Sequence, residues 1–481
     1  MNYIGTRGFT GPKTFSDALL EGLAPDGGLY LPEAYPTRTA AQWTELAGNY
    51  YNLTQNLLYD FDVDVVGTEA VKAACATTTE AFLRKAEEGS ALPRQPGTSI
   101  LKTLPQGQYE VPLTQLEDNL WLLELYHGPT LAFKDMAMQM MAPLTDAALA
   151  QSGERLTLVT ATSGDTGAAA VRAFAGSERV RLVVFHPLGR VSPVQRLQMT
   201  TVEADNVLNV GVEGDFDDCQ RMVKALLGDA SLRERGLISS VNSINWGRLL
   251  GQVPYYLAAA AASGADKPNF VVPTGNFGDA FAGWVARKIG GNIGHLHAAV
   301  NRNDALNQAL NEGRYIRRAA TPSASVSMDV QAPSNFERLI FEASGRSAAG
   351  TRSFFETFAQ RGEVRLSGEL QAACAREVTA STISEAETAA TIQHAWKTWN
   401  KVICPHTAVA VAAALKRKGS GPQIALATAH PAKFPEFVTG ALGFAPEVPE
   451  AIARLHGLTE KITAIPNDNA EALKAVQAFT G

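Results

Sequence analysis

"RLTLVTATSGDTGAAAVRAFAG", residues Arg155–Gly176, reads as a strand, a turn and a helix in that order. Its first eight residues are mostly leucine, valine and threonine, whereas its last nine are mostly alanine, the strongest helix former. Between them, "SGDTG" combines glycine with polar side chains that favour turns. A short strand that passes through such a turn into a helix is the unit from which parallel sheets are built, so this stretch predicts an α/β fold.

The same order recurs along the chain. Further apolar runs lead through polar or Gly-rich turns into helical patterns, namely "RVRLVVFHP", "NFVVP", "HLHAAV" and "QIALATA". This alternation indicates βαβ units and parallel sheets. The first hundred residues instead carry helical patterns and end near the Pro-rich "ALPRQPG". We therefore expect an N-terminal domain over 1–100, a small subdomain over 101–210 and a large one over 211–481, with a less regular insertion near 321–390.

Composition excludes several classes of function. Of 481 residues, 46% are hydrophobic and 19% are charged, which is typical of a globular protein. The net charge of -6 gives no electrostatic case for binding nucleic acid or an anionic membrane. The four cysteines are scattered and form no C-x-x-C pair, so neither a metal site nor a disulfide framework is predicted. The chain begins without a signal peptide and has no apolar run of bilayer length, and we expect a cytoplasmic protein.

Lys134 lies in an apolar setting, within "HGPTLAFKDMAMQMM" (His127–Met141). The residues after Asp135 predict a helix that is apolar on most sides and hence buried, with Lys134 at its first turn. A buried ammonium group is costly unless it is paired or neutral. One explanation is that the side chain reaches the surface along its aliphatic stem, and this stretch alone favours it. The other is a desolvated lysine with a lowered pKa that attacks a carbonyl group.

Two strand–helix turns have the composition of anion sites. "PTGNFGD" (Pro273–Asp279) opens a helix, and its glycines let a ligand approach the N–H groups at the helix start. It matches neither of the glycine-rich motifs that bind ATP and NAD. "TSGDTG" (Thr162–Gly167) adds three hydroxyl groups that suit a carboxylate or phosphate. Each also has a structural explanation: glycine required by the geometry of a turn in the first, and an ordinary helix cap in the second.

Two further polar positions follow. "NSINWGR" (Asn242–Arg248) ends in an arginine that could grip a phosphate, or that could simply lie at a solvated helix start. Thr428, at the end of an apolar strand, offers a hydroxyl to a ring nitrogen or satisfies its own backbone. Each signal is weak alone, but together they describe one site that suits pyridoxal 5′-phosphate. Lysine forms the Schiff base, a helix start holds the phosphate and a polar group meets the pyridine nitrogen.

With these motifs in place, the sequence resembles the threonine synthase family of fold-type II pyridoxal-phosphate enzymes. The resemblance runs nearly end to end, through "YIGTRG", "GLAPDGGLYLPE", "HGPTLAFKD", "ATSGDTG", "SPVQRLQMTT", "NSINWGR", "TGNFGD", "SNFERL", "PHTAVA", "TAHPAKF" and "IPNDNAEALKAVQ". It implies a tryptophan synthase β-like fold with parallel sheets in two subdomains and an added helical N-terminal region. The chain departs from the family pattern at Gly5, where serine is usual, at Cys404, where aspartate is common, and at Ala410, where glycine is usual.

The resemblance also implies a role for each residue that matches a motif. Lys134 would be the Schiff-base and catalytic residue. The other cofactor-binding residues would be Gly275, Asn276, Phe277, Gly278 and Asp279 around the phosphate, Thr428 at the pyridine nitrogen and Asp165 near the cofactor's O3′. The substrate-binding residues would be Thr162, Ser163 and Thr166 at the carboxylate, with Asn242, Ser243 and Arg248 at the substrate phosphate.

The activity that the resemblance implies is the conversion of O-phospho-L-homoserine and water to L-threonine and phosphate, the last step of threonine biosynthesis. The enzyme would be a carbon–oxygen lyase that acts on a phosphate ester, as a monomer or homodimer. Three alternatives stay open at this point. They are a lyase that releases 2-oxobutanoate from the same substrate, a serine or threonine dehydratase, and a non-catalytic sensor built on the same fold.

Overall fold

The computed structural model describes residues 1–87 and 113–480, with side chains over 1–79 and 113–480. The "ALPRQPG" stretch and the predicted domain limit at residue 100 lie outside these ranges. The strands are β1 (Tyr3–Gly5), β2 (Tyr30–Pro32), β3 (Leu113–Glu117), β4 (Leu120–Glu124), β5 (Leu156–Ala161), β6 (Val180–Pro187), β7 (Val207–Glu213), β8 (Leu237–Ser239), β9 (Asn269–Pro273), β10 (Leu296–Val300), β11 (Arg314–Ile316), β12 (Glu363–Arg365), β13 (Val378–Thr382), β14 (Gln423–Ala427) and β15 (Thr463–Pro466).

Helices follow most of the strands. They are α1 (Phe15–Glu21), α2 (Ala40–Leu46), α3 (Tyr50–Asp60), α4 (Thr68–Glu87), α5 (Lys134–Ser152), α6 (Asp165–Phe174), α7 (Pro193–Thr200), α8 (Phe216–Gly228), α9 (Ala230–Arg233), α10 (Trp246–Leu250), α11 (Val253–Ser263), α12 (Gly278–Lys288), α13 (Ala305–Glu312), α14 (Phe336–Ala343), α15 (Ala348–Arg361), α16 (Gly368–Glu377), α17 (Glu385–Trp399), α18 (Pro405–Lys416), α19 (Pro435–Leu442), α20 (Glu450–Ala453) and α21 (Asn469–Thr480).

Two parallel sheets form the centre of the protein, and this confirms the predicted α/β class. The larger has the strand order β13-β10-β9-β14-β4-β3, and all neighbours are parallel except the outermost pair, β3 and β4. Every residue of β4, β10 and β14 is buried, as expected for strands covered by helices on both faces. The smaller sheet has the order β15-β7-β6-β5-β8 and is parallel throughout.

The sheets draw strands from distant parts of the sequence. The larger sheet takes β3 and β4 from the predicted 101–210 subdomain, whereas the smaller sheet takes β15 from near the C-terminus. No single cut of the chain separates the two sheets, and the predicted domain limits stay a prediction. The segment 321–390 is more regular than its sequence indicates. It contains three complete α-helices and the start of α17, and its strand β13 pairs in parallel with β10 at the edge of the larger sheet.

The N-terminal helices pack on this α/β body as an added layer. The Trp43 indole N–H donates to the Ile289 carbonyl oxygen at 2.9 Å, and Arg38 donates its backbone N–H to the same oxygen at 3.0 Å. Tyr3 and Trp43 are buried and belong to the main hydrophobic core together with residues of α5, α11 and α12. Every helix in residues 1–87 and 113–480 is too short or too polar to cross a membrane.

Candidate active site

One cavity lies between the two sheets, at the carboxyl ends of their strands, where ligands bind in open α/β sheets. The turns after β5, β9 and β14 form its walls with the start of α5 and the segment before α10. All the predicted site residues line it, namely Lys134, Thr162, Ser163, Asp165, Thr166, Asn242, Ser243, Arg248, Gly275, Asn276, Phe277, Gly278, Asp279 and Thr428. The structure therefore brings together positions that are as much as 294 residues apart in sequence.

Lys134 is the first residue of α5 and is 9% exposed, so its side chain does not reach the surface. Its Nζ lies 3.5 Å from Asp165 Oδ2. Burial lowers the pKa of the Lys134 amine to about 8, and the positive charges of Arg248 and Lys433 act in the same direction against the attraction of Asp165. The surroundings of Lys134 therefore agree with the second of the two explanations, a desolvated lysine with a lowered pKa. Its amine is largely protonated at pH 7 yet releases its proton easily.

Asp165 is the hub of the polar contacts around Lys134. Its Oδ1 accepts from Lys433 Nζ and from Gln195 Nε2, both at 2.8 Å, while its Oδ2 accepts from Ser327 Oγ at 3.1 Å and faces Lys134. Burial alone would raise the pKa of Asp165, but the neighbouring positive charges outweigh it and hold the pKa well below its usual value. Asp165 is therefore a carboxylate held in place on both oxygens.

Sequence reasoning missed several of these partners. Lys433 is fully buried and also donates to the Thr130 carbonyl oxygen at 2.7 Å, in the loop that leads to Lys134. His406 lines the cavity and accepts the Ser327 backbone N–H at its Nε2, 3.1 Å away. Burial lowers the pKa of His406 to about 4, so its ring is neutral at pH 7. Both lie within quoted motifs, "TAHPAKF" and "PHTAVA", but nothing in the sequence shows that they are buried beside Asp165.

The departure at Cys404 has only a local effect. Its Sγ accepts the Thr407 backbone N–H at 3.4 Å and so caps helix α18, the place that an aspartate would otherwise fill.

The turn "TGNFGD" presents a row of backbone donors at the start of α12. In the described part of the chain, the N–H groups of residues 275–280 make no hydrogen bond. Phe277 holds a left-handed conformation with φ 63°, which turns these groups toward the cavity side of the helix start. A Cβ on Gly275 would lie 2.6 Å from the Ser327 carbonyl oxygen, so a side chain is excluded there. Free N–H groups with the positive end of a helix dipole make an anion site.

Asp279 has a different set of partners from the rest of this turn. Its Oδ1 accepts hydrogen bonds from the Tyr255 and Tyr256 hydroxyls, the latter at 2.7 Å, and Tyr256 also donates to its carbonyl oxygen at 2.9 Å. Burial raises the pKa of Asp279 to about 6. Two tyrosines thus bind the Asp279 carboxyl group, which stays largely ionised at pH 7 although its pKa is raised.

In the turn "TSGDTG" the three hydroxyl residues differ. Thr162 Oγ1 accepts the N–H groups of Gly164 and Gly167, at 2.9 and 3.0 Å, and so shapes the turn itself. Thr166 Oγ1 accepts from Arg248 Nη2 at 3.4 Å. Ser163 makes no side-chain hydrogen bond with the described residues and lines the cavity. The N-cap of α6 is Gly164 and has no side-chain cap bond, so the hydroxyl groups do not form an ordinary N-cap. Thr162 instead shapes the turn, and Ser163 lines the cavity.

Arg248 is a buried cation, 5% exposed, that forms no ion pair with a carboxylate in residues 1–79 and 113–480. Its Nη1 donates to the Val241 carbonyl oxygen at 2.9 Å, and its only other partner there is Thr166. Burial lowers its pKa to about 10. Asn242, which accepts from Thr160 at 2.7 Å, and Ser243 lie beside it on the cavity wall. A buried guanidinium without a carboxylate favours an anionic ligand.

Comparison with known proteins agrees with this geometry. A family model described as pyridoxal-phosphate dependent enzyme matches residues 104–423. Models for the threonine synthase N terminus and for the threonine synthase C-terminal region match residues 2–78 and 407–477. The fold and the site therefore define a pyridoxal-phosphate-dependent enzyme.

Individual relatives narrow this class. The threonine synthase of Pseudomonas aeruginosa is 39% identical and covers 100% of this chain and 98% of its own length, and that of Corynebacterium glutamicum is 38% identical over 97% and 96%. The crystal structure of PLP-bound threonine synthase from Brucella melitensis matches with a TM-score of 0.89 at 41% identity, covering 100% of this chain and 99% of its own. The yeast threonine synthase structure gives 0.87 at 31%, covering 99% and 98%. The chain belongs to the threonine synthase family.

The residues present fit the cofactor that this family uses. The buried amine of Lys134 can carry it, the N–H groups of residues 275–280 suit its phosphate, and the Thr428 hydroxyl lines the opposite wall. Thr428 is 5% exposed and its side chain makes no hydrogen bond with the described residues, so the hydroxyl is available to a ring nitrogen. A hydroxyl at this position, unlike a carboxylate, does not hold a proton on that nitrogen.

Proposed function

We propose that this chain converts O-phospho-L-homoserine and water to L-threonine and phosphate. The observation that carries the proposal is Arg248, a buried cation that pairs with no carboxylate among the described residues and lines the same cavity as Lys134 and the turn at the start of α12. The cavity thus has two anion sites. One suits the cofactor's phosphate, and the other suits a phosphate on the substrate, which serine and threonine lack.

The substrate's two ends would be held by different walls. Arg248, Asn242 and Ser243 would bind its phosphate, with the planar guanidinium donating to two of the oxygens. Ser163 and Thr166 would bind its carboxylate at the start of α6, where the helix dipole favours negative charge. Thr162 would support them by shaping the turn. Binding at both ends fixes the carbon chain between them beside Lys134.

Lys134 would perform the proton transfers. When bound, pyridoxal phosphate supplies an electron sink for the carbon that carries the substrate's amino group. The Lys134 amine then takes a proton from that carbon and later one from the next carbon, and it returns protons after phosphate has left and water has added. Its pKa of about 8 suits both the uptake and the release of a proton, because the protonated and the neutral amine are both accessible near neutral pH. Asp165 would stay ionised and hold the ammonium form in position.

The test is to incubate the cofactor-loaded protein with O-phospho-L-homoserine, then to assay phosphate and to identify the organic product by chromatography. We expect threonine in step with phosphate. Lys134→Ala is the matched control, which we expect to fold but to lose both the visible absorbance of the bound cofactor and all turnover. Formation of phosphate together with 2-oxobutanoate would show that the protein is the alternative lyase and not a threonine synthase. If no phosphate is released, O-phospho-L-homoserine is not the substrate.

The remaining properties of the proposal come from composition and from the family. The chain would act on a small molecule in the cytoplasm, as a monomer or homodimer, without nucleic acid or membrane partners. The net charge of -6 supports this view, because it gives no overall electrostatic attraction for either polyanion.

A further inference from the structure

The motif "SNFERL" (Ser334–Leu339) places three polar side chains in the core without giving any of them a place on the cavity wall. Asn335 and Arg338 are fully buried, and Glu337 is 4% exposed. Buried polar groups are costly unless they are hydrogen-bonded. The partners of these three therefore show what the beginning of α14 does.

Asn335 joins the two anion-binding segments of the cavity. Its Nδ2 donates to the Ser243 carbonyl oxygen and to the Asn276 carbonyl oxygen, each at 3.1 Å, and its backbone N–H also donates to Asn276 at 3.1 Å. Asn276 lies in the turn at the start of α12, and Ser243 lies beside Arg248. One amide group thus bonds the backbone of both segments at once.

The two segments also touch directly at this point. A Cβ on Gly278 would lie 3.1 Å from Ser243 Cβ and 3.2 Å from Asn335 Nδ2, closer than ordinary contact. The absence of a side chain at Gly278 thus permits the spacing that Asn335 fixes. Its φ is not positive, so a small side chain would be resisted by its neighbours rather than by its own backbone.

Arg338 binds the Asn335 side chain from behind, whereas the side chain of Glu337 binds the N-terminal region. Arg338 donates to Asn335 Oδ1, to the Ile244 carbonyl oxygen at 2.7 Å and to the Tyr30 carbonyl oxygen at 3.0 Å. Glu337 accepts from Thr6 and Arg7 in "YIGTRG", at 2.6 to 2.9 Å. The start of α14 is thereby bonded to the N-terminal region on one side and to the cavity segments on the other.

We propose that Asn335 is a positioning residue that sets the spacing between the two anion sites, and so selects substrates that carry a phosphate at a fixed distance from the cofactor's phosphate. The inference rests on the proposed function for the identity of the substrate. The spacing itself does not, because it is measured by the binding of phosphate groups without turnover.

Asn335→Asp tests the spacing with an isosteric side chain. It keeps an acceptor for Arg338, removes both Nδ2 donations and places a negative charge against two carbonyl oxygens. We expect the affinity of the cofactor-free protein for pyridoxal phosphate to fall at least tenfold, while that for pyridoxal, which lacks the phosphate, changes less than twofold. The affinity of the cofactor-loaded protein for inorganic phosphate should also fall at least tenfold. Fluorescence titration and calorimetry measure these constants.

Two further variants separate positioning from general destabilisation. Glu337→Gln weakens the neighbouring ion pair with Arg7 in the same helical turn, so it should lower the melting temperature but leave both phosphate affinities within twofold. Gly278→Ala keeps all the hydrogen-bond donors but adds a side chain that pushes the two segments apart. It should therefore lower both phosphate affinities as Asn335→Asp does. This variant preserves the test if Asn335→Asp does not fold. A loss of only one affinity, or equal losses in Glu337→Gln, would overturn the inference. Failure to turn over O-phospho-L-homoserine would refute the proposed function alone.

Discussion

Lys433→Gln should make Lys134 more basic. Lys433 and Lys134 approach opposite oxygens of one carboxylate, at 2.8 and 3.5 Å, so the charge of Lys433 offsets part of the attraction that Asp165 exerts on Lys134. Glutamine retains a donor for Asp165 and for the Thr130 carbonyl oxygen, but it removes the charge. What remains facing Lys134 is Asp165, the positive charge of Arg248 and the neutral ring of His406.

The magnitude follows from Coulomb's law. Two ammonium groups on opposite oxygens of one carboxylate are roughly 8 Å apart or less, and with an effective dielectric constant of about 20 they repel by about 2 kcal/mol. Since about 1.4 kcal/mol corresponds to one pKa unit, the repulsion is worth about one unit after some relaxation of the site. The pKa of Lys134, about 8 in the native protein, should rise to about 9, and the fraction of neutral amine at pH 7 should fall about tenfold.

The assay is the pH dependence of acetylation of Lys134 in the cofactor-free protein, quantified by peptide mass spectrometry against the exposed Lys224. Lys401→Gln is the matched control. Lys401 Nζ pairs with the buried Glu124 Oε1 at 2.7 Å, and neither residue lines the cavity. Asp165→Asn should move the pKa of Lys134 in the opposite direction. An unchanged or lower pKa in Lys433→Gln, or an equal rise in Lys401→Gln, would refute the reasoning.

Three other predictions concern single side chains of the cavity. Arg248→Gln should raise the KM for O-phospho-L-homoserine about 10- to 100-fold, since hydrogen bonds to charged groups contribute roughly 1.5–3 kcal/mol. Steady-state kinetics measure this change, and an unchanged KM would mean that the substrate phosphate does not bind Arg248. Thr428→Val should weaken cofactor binding about fivefold through one lost hydrogen bond, about 1 kcal/mol, in a titration followed by visible absorbance. Asp279→Asn should stabilise the cofactor-free protein at high pH. Because its folded pKa of about 6 is above the usual 3.8, the wild type loses stability as pH rises toward 6, by about 3 kcal/mol in all; denaturant unfolding at pH 4 and pH 8 should show a gain only at pH 8.

The sequence predicted the fold class because the alternation of strand and helix is local information. Each turn with the right composition does follow a strand, as "TGNFGD" follows β9 and "TSGDTG" follows β5. Strand neighbours were a different matter. The pairing of β4 with β14, about 300 residues later, depends on the whole chain. Strand β13, within 321–390, is only five residues long, and long-range pairing with β10 stabilises it.

Within the site, the residues on the cavity wall were predictable but their partners were not. Lys134 could be identified because a cation inside an apolar helix is unusual. Lys433 could not, since a lysine in the polar turn after β14 is by itself unremarkable, and only its contacts with Thr130 and Asp165 show its place. The same holds for Asn335, whose amide joins two segments that lie 59 and 92 residues earlier in the chain. Sequence motifs identify the residues of a site, but the charge balance of the site depends on which of those residues contact each other in the folded protein.

The charge balance links substrate binding to the basicity of Lys134. The positive charge of Arg248 is one reason why the pKa of Lys134 is low, and no carboxylate among the described residues pairs with Arg248 to cancel it. In the proposed function, a phosphate bound to Arg248 would supply that missing negative charge, so binding of the phosphorylated substrate would raise the pKa of Lys134 and favour its acceptance of a proton. Once the carbon–oxygen bond is broken and phosphate has dissociated from Arg248, the charge of Arg248 would again be uncompensated, the pKa of Lys134 would fall and Lys134 would release its proton more readily. The substrate phosphate would thus couple its own elimination to the proton transfers of Lys134, through its effect on the charge of Arg248.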